Sequence, residues 1–456
     1  VVYSKPALTH FHHSRWRKLF WWGGDASQAY VKHNTAYLIA SRAVPNYDQS
    51  VVVKESTLAA LKAKFSGTIT EPMNVGLANP YMPSTGGRDE LGLMPAWAAT
   101  YLLTMDVRAR DITLGNGDLA GSWSAHYRDK NTDRPISLMD YPYMTIAGIP
   151  TDTRNPVTKL QEAFPKCAVG ASCSTPYIHD TSHQAAFAYL PYLVTGDYYY
   201  LEELQFWSMY NVFQTNPGYR LNVQGLLEGE QVRGQAWSMR TLAEAAYITP
   251  DNDRLKAHFT RILANNLEYY NKTFTNNAAA NLFGVLDTKS AVVYNDKRGI
   301  APWQDDFFTS AIGHAAELGF AGASELLSWK AKSPVMRMTD AGICWIDGAL
   351  YSMNIRDTAT SPLYTTMAQA AAASETATFR SLQCGSAPMA NFLSLKVGEM
   401  TGYSSSVAGY PSNMQPALAY SVDAGLAKGA EAWSKFMSRS VKPDYGLGPQ
   451  FAIVPR

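Results

Sequence analysis

Between residues 182 and 211 the apolar positions recur at spacings of three and four. Ala185, Ala186, Tyr189, Leu190 and Leu193 form one stripe, and Tyr198, Leu201, Leu204, Trp207 and Met209 form a second. Thr195-Gly196-Asp197 separates the two. Glycine has the backbone freedom to leave one helix, and aspartate caps the next. The spacing predicts an antiparallel pair of helices joined by a three-residue turn. Pro191 predicts a kink inside the first of them.

The same arrangement recurs with different residues. Positions 91–105 lead through Asp106 into a second helical segment; 233–248 break at Thr249-Pro250-Asp251-Asn252 before 254–271; 305–318 break at Gly319-Phe320-Ala321-Gly322 before 323–332. A fifth unit falls between 362 and 400, and a sixth runs from Met414 through Asp423-Ala424-Gly425 to Met437. Five or six helical hairpins predict a mostly α chain built as an (α/α)6 toroid. Its short turns, at Asp106, Gly196, Pro250 and Gly319, would share one face, with the long loops gathered on the other. The expected organisation is an N-terminal segment over 1–80, the toroid over 81–440, and a Gly/Pro-rich tail over 441–456 lying on the surface. Residues 120–181 form the longest stretch without helical periodicity, and a connection of that length is usually functional.

Composition narrows the field. Charge is balanced at +1, from 39 basic and 38 acidic residues without a polybasic run, so nucleic acid and membrane surfaces find no electrostatic footing. No apolar run reaches the roughly 18–20 residues of a membrane span. Aromatic residues are abundant, with 27 Tyr and 11 Trp, as suits either a large core or a groove whose rings stack on sugars. Cys167 and Cys173 lie six apart in a Gly-containing loop that could close as a small disulfide; Cys344 and Cys384 are the second, less local pair. Either bridge implies an oxidising compartment. The chain opens Val1-Val2-Tyr3, as if a leader had been removed or a preceding domain were absent. The expected location is therefore secreted, periplasmic or on the cell surface.

Polar residues gather just upstream of the first helix of each hairpin. The clusters are Gly87-Arg88-Asp89-Glu90, His179-Asp180-Thr181-Ser182-His183, Glu230 through Arg233, Gln235 and Trp237, Trp303-Gln304-Asp305-Asp306, and Gly409-Tyr410-Pro411-Ser412-Asn413. If the short turns share one face, these clusters share the other, and acids, Arg, His and Trp converge on one cavity mouth. Capping alone would also place acids such as Asp305 and Asp306 at helix starts. His179 and His183, four apart, have the spacing of metal ligands on a helix, but no third ligand can be named. No metal or cofactor is expected.

In architecture, and in the placing of Trp and acids ahead of the inner helices, residues 80–440 resemble the (α/α)6-toroid carbohydrate-active enzymes, a grouping of glycoside hydrolases and polysaccharide lyases. The resemblance is one of fold. It implies a polysaccharide or oligosaccharide substrate. The leading expectation is hydrolysis by paired carboxyls, with Glu230 as the acid because Val232 and Trp237 would desolvate it. Asp305 or Asp306 would be base or nucleophile, with Asp180 and Asp89 in reserve. The alternative is a lyase on a uronate polymer, with His126, Tyr127 or His179 as base and Arg88, Arg128 or Arg233 neutralising the uronate. Gln235, Trp237 and Trp303 would bind sugar in either case. A non-catalytic scaffold of a surface assembly is the third reading.

Overall fold

The computed structural model describes residues 3–5, 8–11, 14–15, 21–24, 29–79, 87–146, 157–159 and 180–456. Cys167, Cys173 and His179 lie outside them. The described chain is mostly helical: α1 (Thr35–Ala40), α2 (Glu55–Lys64), α3 (Ala96–Thr104), α4 (Val107–Asp118), α5 (Tyr189–Thr195), α6 (Tyr198–Gln214), α7 (Val232–Ile248), α8 (Arg254–Tyr270), α9 (Pro302–Glu317), α10 (Ala323–Lys330), α11 (Lys332–Thr339), α12 (Met367–Ser374), α13 (Ala377–Ser381), α14 (Ala387–Leu393), α15 (Tyr410–Asp423) and α16 (Gly429–Met437). Strands β1 (Tyr3–Lys5), β2 (Leu8–Phe11) and β3 (His126–Asp129) form one antiparallel sheet, and β4 (Gly299–Ile300) pairs with β5 (Met353–Asn354) in another.

Pairs α3–α4, α5–α6, α7–α8, α9–α10 and α15–α16 are the expected hairpins, and their turns follow local chemistry. Asp106 and Asp197 accept from the N–H groups of Arg108 and Tyr199 and so start α4 and α6. Gly196 ends α5 in the left-handed region, φ 65°, where a side chain is disfavoured. Pro191 makes no kink. The helix begins only at Tyr189, which puts the proline in the first turn, where its missing N–H is harmless. Residues 184–187, expected to be helical, are in neither helix nor strand. The fifth unit is three short helices, α12–α14, broken by Glu375 and Gly385.

Helix α7 packs against α6, α8 and α9; α9 packs in turn against α15 and α10, and α11 against α15 and α16. Some of the helix ends on the turn side are neighbours. Gly196 and Pro250 line one cleft of about 300 Å³. Thr35 Oγ1 donates to the Leu102 carbonyl at the end of α3, at 2.6 Å. Arg456 joins Glu317 at the end of α9, Asp423 at the end of α15 and the Ile39 carbonyl of α1.

The tail is not a surface strip. Phe451, Ala452 and Ile453 are buried, Phe451 stacks on Phe307, and Gln415 donates to the Ile453 carbonyl at 3.1 Å. Its apolar residues fill space between α9 and α15 that helices alone leave open. From the N-terminal segment, Ile39, Val44, Tyr47, Leu58 and Val75 belong to the main core. Cys344 and Cys384 are bonded. No described helix is long and apolar enough to cross a membrane.

Below α7's first turns lies a knot of buried charge. His314 stands 3.7 Å from the carboxylates of both Glu244 and Glu317. Burial pushes the Glu244 carboxyl from 4.5 up to about 7, against the attraction of Arg240 and His314. Folded Glu244 holds its proton more tightly than unfolded Glu244. Its contribution to stability is therefore complete below about pH 4.5 and lost as pH rises through about 7. Glu244→Gln should flatten that part of the stability profile and raise stability at pH 8, by on the order of 3 kcal/mol if the whole shift is realised. Denaturant melts of both proteins between pH 4 and 8 would check this; parallel profiles would refute it.

Candidate active site

Two glycines let the polar clusters meet. A Cβ on Gly234, in the first turn of α7, would lie 2.8 Å from Thr181 Oγ1, so only glycine lets the turn over Thr181–His183 rest there. A Cβ on Gly87 would lie 2.5 Å from the Ala408 carbonyl and 2.6 Å from Asn413 Oδ1, so the segment carrying Arg88 sits directly on the start of α15. Glu230 completes the support, accepting 3.0 Å bonds from the hydroxyls of Thr181 and Thr215. The small sheet β4–β5 brings in two further loops, and with them Tyr294 and Tyr351, whose rings meet edge to face at 5.7 Å.

At the centre, His183 Nδ1 lies 2.9 and 2.8 Å from the two oxygens of Asp180. Its Nε2 is buried and has no partner among the described residues. Burial alone would raise the Asp180 carboxyl; the hydrogen bond and charge of His183, the Ser182 N–H and Arg233 hold it below the ordinary value. An ionised Asp180 fixes a proton on Nδ1 and leaves Nε2 as the basic nitrogen.

Arg88 and Arg233 both lie within electrostatic reach of Asp180 and of each other. Burial lowers both guanidiniums from the usual arginine value, though arginine remains charged. Arg88 is 8 % exposed and 3.0 Å from Glu90, yet its Nε and Nη1 find no hydrogen-bond acceptor among the described residues. Arg233 donates through Nε to Gln231 and lies 5.5 Å over the Trp303 ring. Gln304 ties the Arg233 N–H to the Tyr294 hydroxyl, to which it donates at 3.0 Å. Burial, with the neighbouring Tyr351, pushes the Tyr294 phenol up to about 12. Asn413 is fully buried with both amide atoms unpartnered, as is Trp303 Nε1. Groups of this kind are expensive to bury without a partner; others lie deep in the core, at Glu244, His258 and His314 among them.

The clusters around residues 88, 180, 233, 303 and 410 thus meet, but not every named side chain faces the meeting point. Asp305 and Asp306, expected as base or nucleophile, are buried in ion pairs with Lys330 and Arg337; the Lys330 Nζ stands 2.5 Å from Asp305. They sit on the face of α9 turned toward α10 and α11. His126, expected at the cavity, is enclosed, bonded to Glu203 and the Trp123 carbonyl at 2.9 Å each. Tyr127 lies buried beside Phe206 and Phe213. Arg128 pairs with Glu202 on α6. Asp89 turns away toward Lys64, Gln235 donates to the Glu230 carbonyl at 2.7 Å, and Trp237 packs on Phe307 at 4.6 Å.

Sequence reasoning named His183 only as half of a metal pair, and Tyr410 and Asn413 only as cluster members. Tyr294 and Tyr351 went unnamed: both lie in aperiodic loops, where only the tyrosine-rich composition hinted at them. Among the described residues no group of three or more His, Cys, Asp or Glu is placed to hold a metal ion. No protein-family model, curated protein or solved structure matches the chain.

The difference between the two kinds of acid is measurable. Asp305→Ala strands the buried Lys330 ammonium and should cost about 3–5 kcal/mol. Asp180→Asn, at a partly exposed pair, should cost less than about 1 kcal/mol. Urea melts of the two variants would check the contrast; a large loss from Asp180→Asn would make that pair structural.

Proposed function

We propose that this protein is a carbohydrate-active enzyme that cleaves an acidic polysaccharide by β-elimination. The observation that carries the reading is the Asp180–His183 pair, with an unpartnered Nε2, beside two guanidiniums and a wall of aromatic rings. Elimination needs the uronate carboxylate neutralised, so that the adjacent C5–H becomes acidic, and Arg88, Arg233 and Asn413 supply donors for that. His183 Nε2 takes the C5 proton. The electron pair forms the C4=C5 double bond, the C4–O4 bond breaks, and the leaving oxygen receives a proton. Tyr294, whose raised phenol keeps its proton at neutral pH, gives it.

Hydrolysis is the weaker reading. Asp305 and Asp306 are engaged by cations, and both oxygens of Glu230 accept from threonine hydroxyls. The helical pairs are taken together as one (α/α)6 toroid, with the site at its loop face. The gathered ends of α3, α9 and α15 support that arrangement. The Cys344–Cys384 bridge fits an oxidising compartment, hence a secreted, periplasmic or cell-surface location.

Incubation with a panel of neutral and uronic polysaccharides is the direct test. New ultraviolet absorbance, from unsaturated uronate ends, is expected on a uronic polymer. His183→Ala should cut that rate by about 10²–10⁴-fold with the fold intact by circular dichroism. Reducing ends without absorbance would replace elimination by hydrolysis, and loss of turnover in Glu230→Gln would then identify the acid.

A further inference from the structure

The aromatic wall does not end at the site. From the buried Trp303 the rings continue through Tyr351 at 6.4 Å and Tyr410 at 6.0 Å, and from Tyr410 to Tyr403 at 6.3 Å. Exposure climbs along the row, from 1 % at Trp303 to 43 % at Tyr351 and 76 % at Tyr403. Tyr403 therefore gains little from packing.

Its backbone makes the position stranger. Tyr403 has φ 68°, in the left-handed region that residues with a Cβ seldom enter. The loop holds it there. Gly409 approaches so closely that a Cβ would lie 2.2 Å from the Tyr403 carbonyl. Ser406 donates its N–H to the same carbonyl at 2.9 Å, and Tyr410 its own to the Gly402 carbonyl at 2.9 Å. Glycine would suit this φ without strain, and a polar residue would suit this exposure. A large ring satisfies neither, so packing and backbone preference leave the choice of tyrosine here unexplained.

We infer that Tyr351, Tyr410 and Tyr403 form an outer saccharide subsite, a row of rings that binds units of the polymer beyond the one that reacts. This rests on reading the neighbouring site as one for acidic polysaccharide. Pyranose rings present C–H faces to aromatic rings, so a row of rings gives successive sugar units a surface to stack on. The loop being closed by its own backbone hydrogen bonds, the row is in place before the ligand arrives.

Tyr403→Gly separates binding from architecture, because glycine relieves the left-handed backbone. Wild type and variant would be run through native gels containing polygalacturonate, alginate, hyaluronan or chondroitin sulfate, and melted in parallel. The expected result is that one polymer retards the wild type, and that the variant loses at least threefold of the retardation with an unchanged or higher melting temperature. On a polymer that is cleaved, the loss should fall on KM more than on kcat. Equal retardation of both proteins overturns the outer subsite and leaves the reading of the site standing. A lower melting temperature with equal retardation assigns Tyr403 to the fold and overturns it too. A wild type neither retarded by nor active on any of the polymers overturns the reading itself, and the subsite with it.

Discussion

Helix α7 is buried on every side from Val232 to Ala246, and it carries Arg233, Gln235, Arg240 and Glu244 into the interior. A helix buried all round is normally apolar, so each of these groups demands a partner from elsewhere in the chain. Arg240 finds two: the Gly92 carbonyl at 2.7 Å and the Gln184 carbonyl at 3.0 Å. Those bonds clamp two distant segments onto one helix. Arg88 lies four residues before Gly92, and Asp180 four before Gln184. About two turns up the helix stands Arg233, so the bonds that satisfy a buried guanidinium in the core also bring these segments to the site above it.

Buried polar groups on α9 and beside it stand in two different settings. On α9, Asp305 and Asp306 are each bound to a buried cation, and the pairs hold α10 and α11 against the helix. Immediately before them on the same helix, Trp303 and Gln304 face the other way, toward Arg233 and Tyr294. There His183 Nε2, two nitrogens of Arg88 and the Asn413 amide have no partner among the described residues, as is true of Asp305 Oδ2 and Arg337 Nε on the other face.

Much of the fold was legible because its signals are local. Asp106, Asp197, Gly196 and Pro250 act through the backbone of their immediate neighbours, so hairpin turns could be read from residue type and spacing alone. The convergence of the upstream clusters followed from counting which helix ends carry short turns, and Arg88, Asp180, Arg233 and Trp303 were reached that way. The tail misled for a physical reason. Its Gly and Pro describe an irregular path, which composition associates with surfaces, but Phe451 and Ile453 on that path are needed to fill the core.

By itself, then, the sequence determined a mostly helical chain of paired helices, its turn positions and the general place where polar residues would gather. Periodicity, capping and glycine freedom all act within about one helical turn, and they survive without knowledge of the rest. Only the tertiary structure decided which acids are held in buried ion pairs. Asp305 and Lys330 are 25 residues apart, Asp306 and Arg337 31, and His126 and Glu203 77. No short-range pattern foretells such partners. It also decided that Tyr294, Tyr351 and Tyr410 should face one arginine-lined site, because their loops acquire direction only from a two-residue sheet and the packing of α9 against α15.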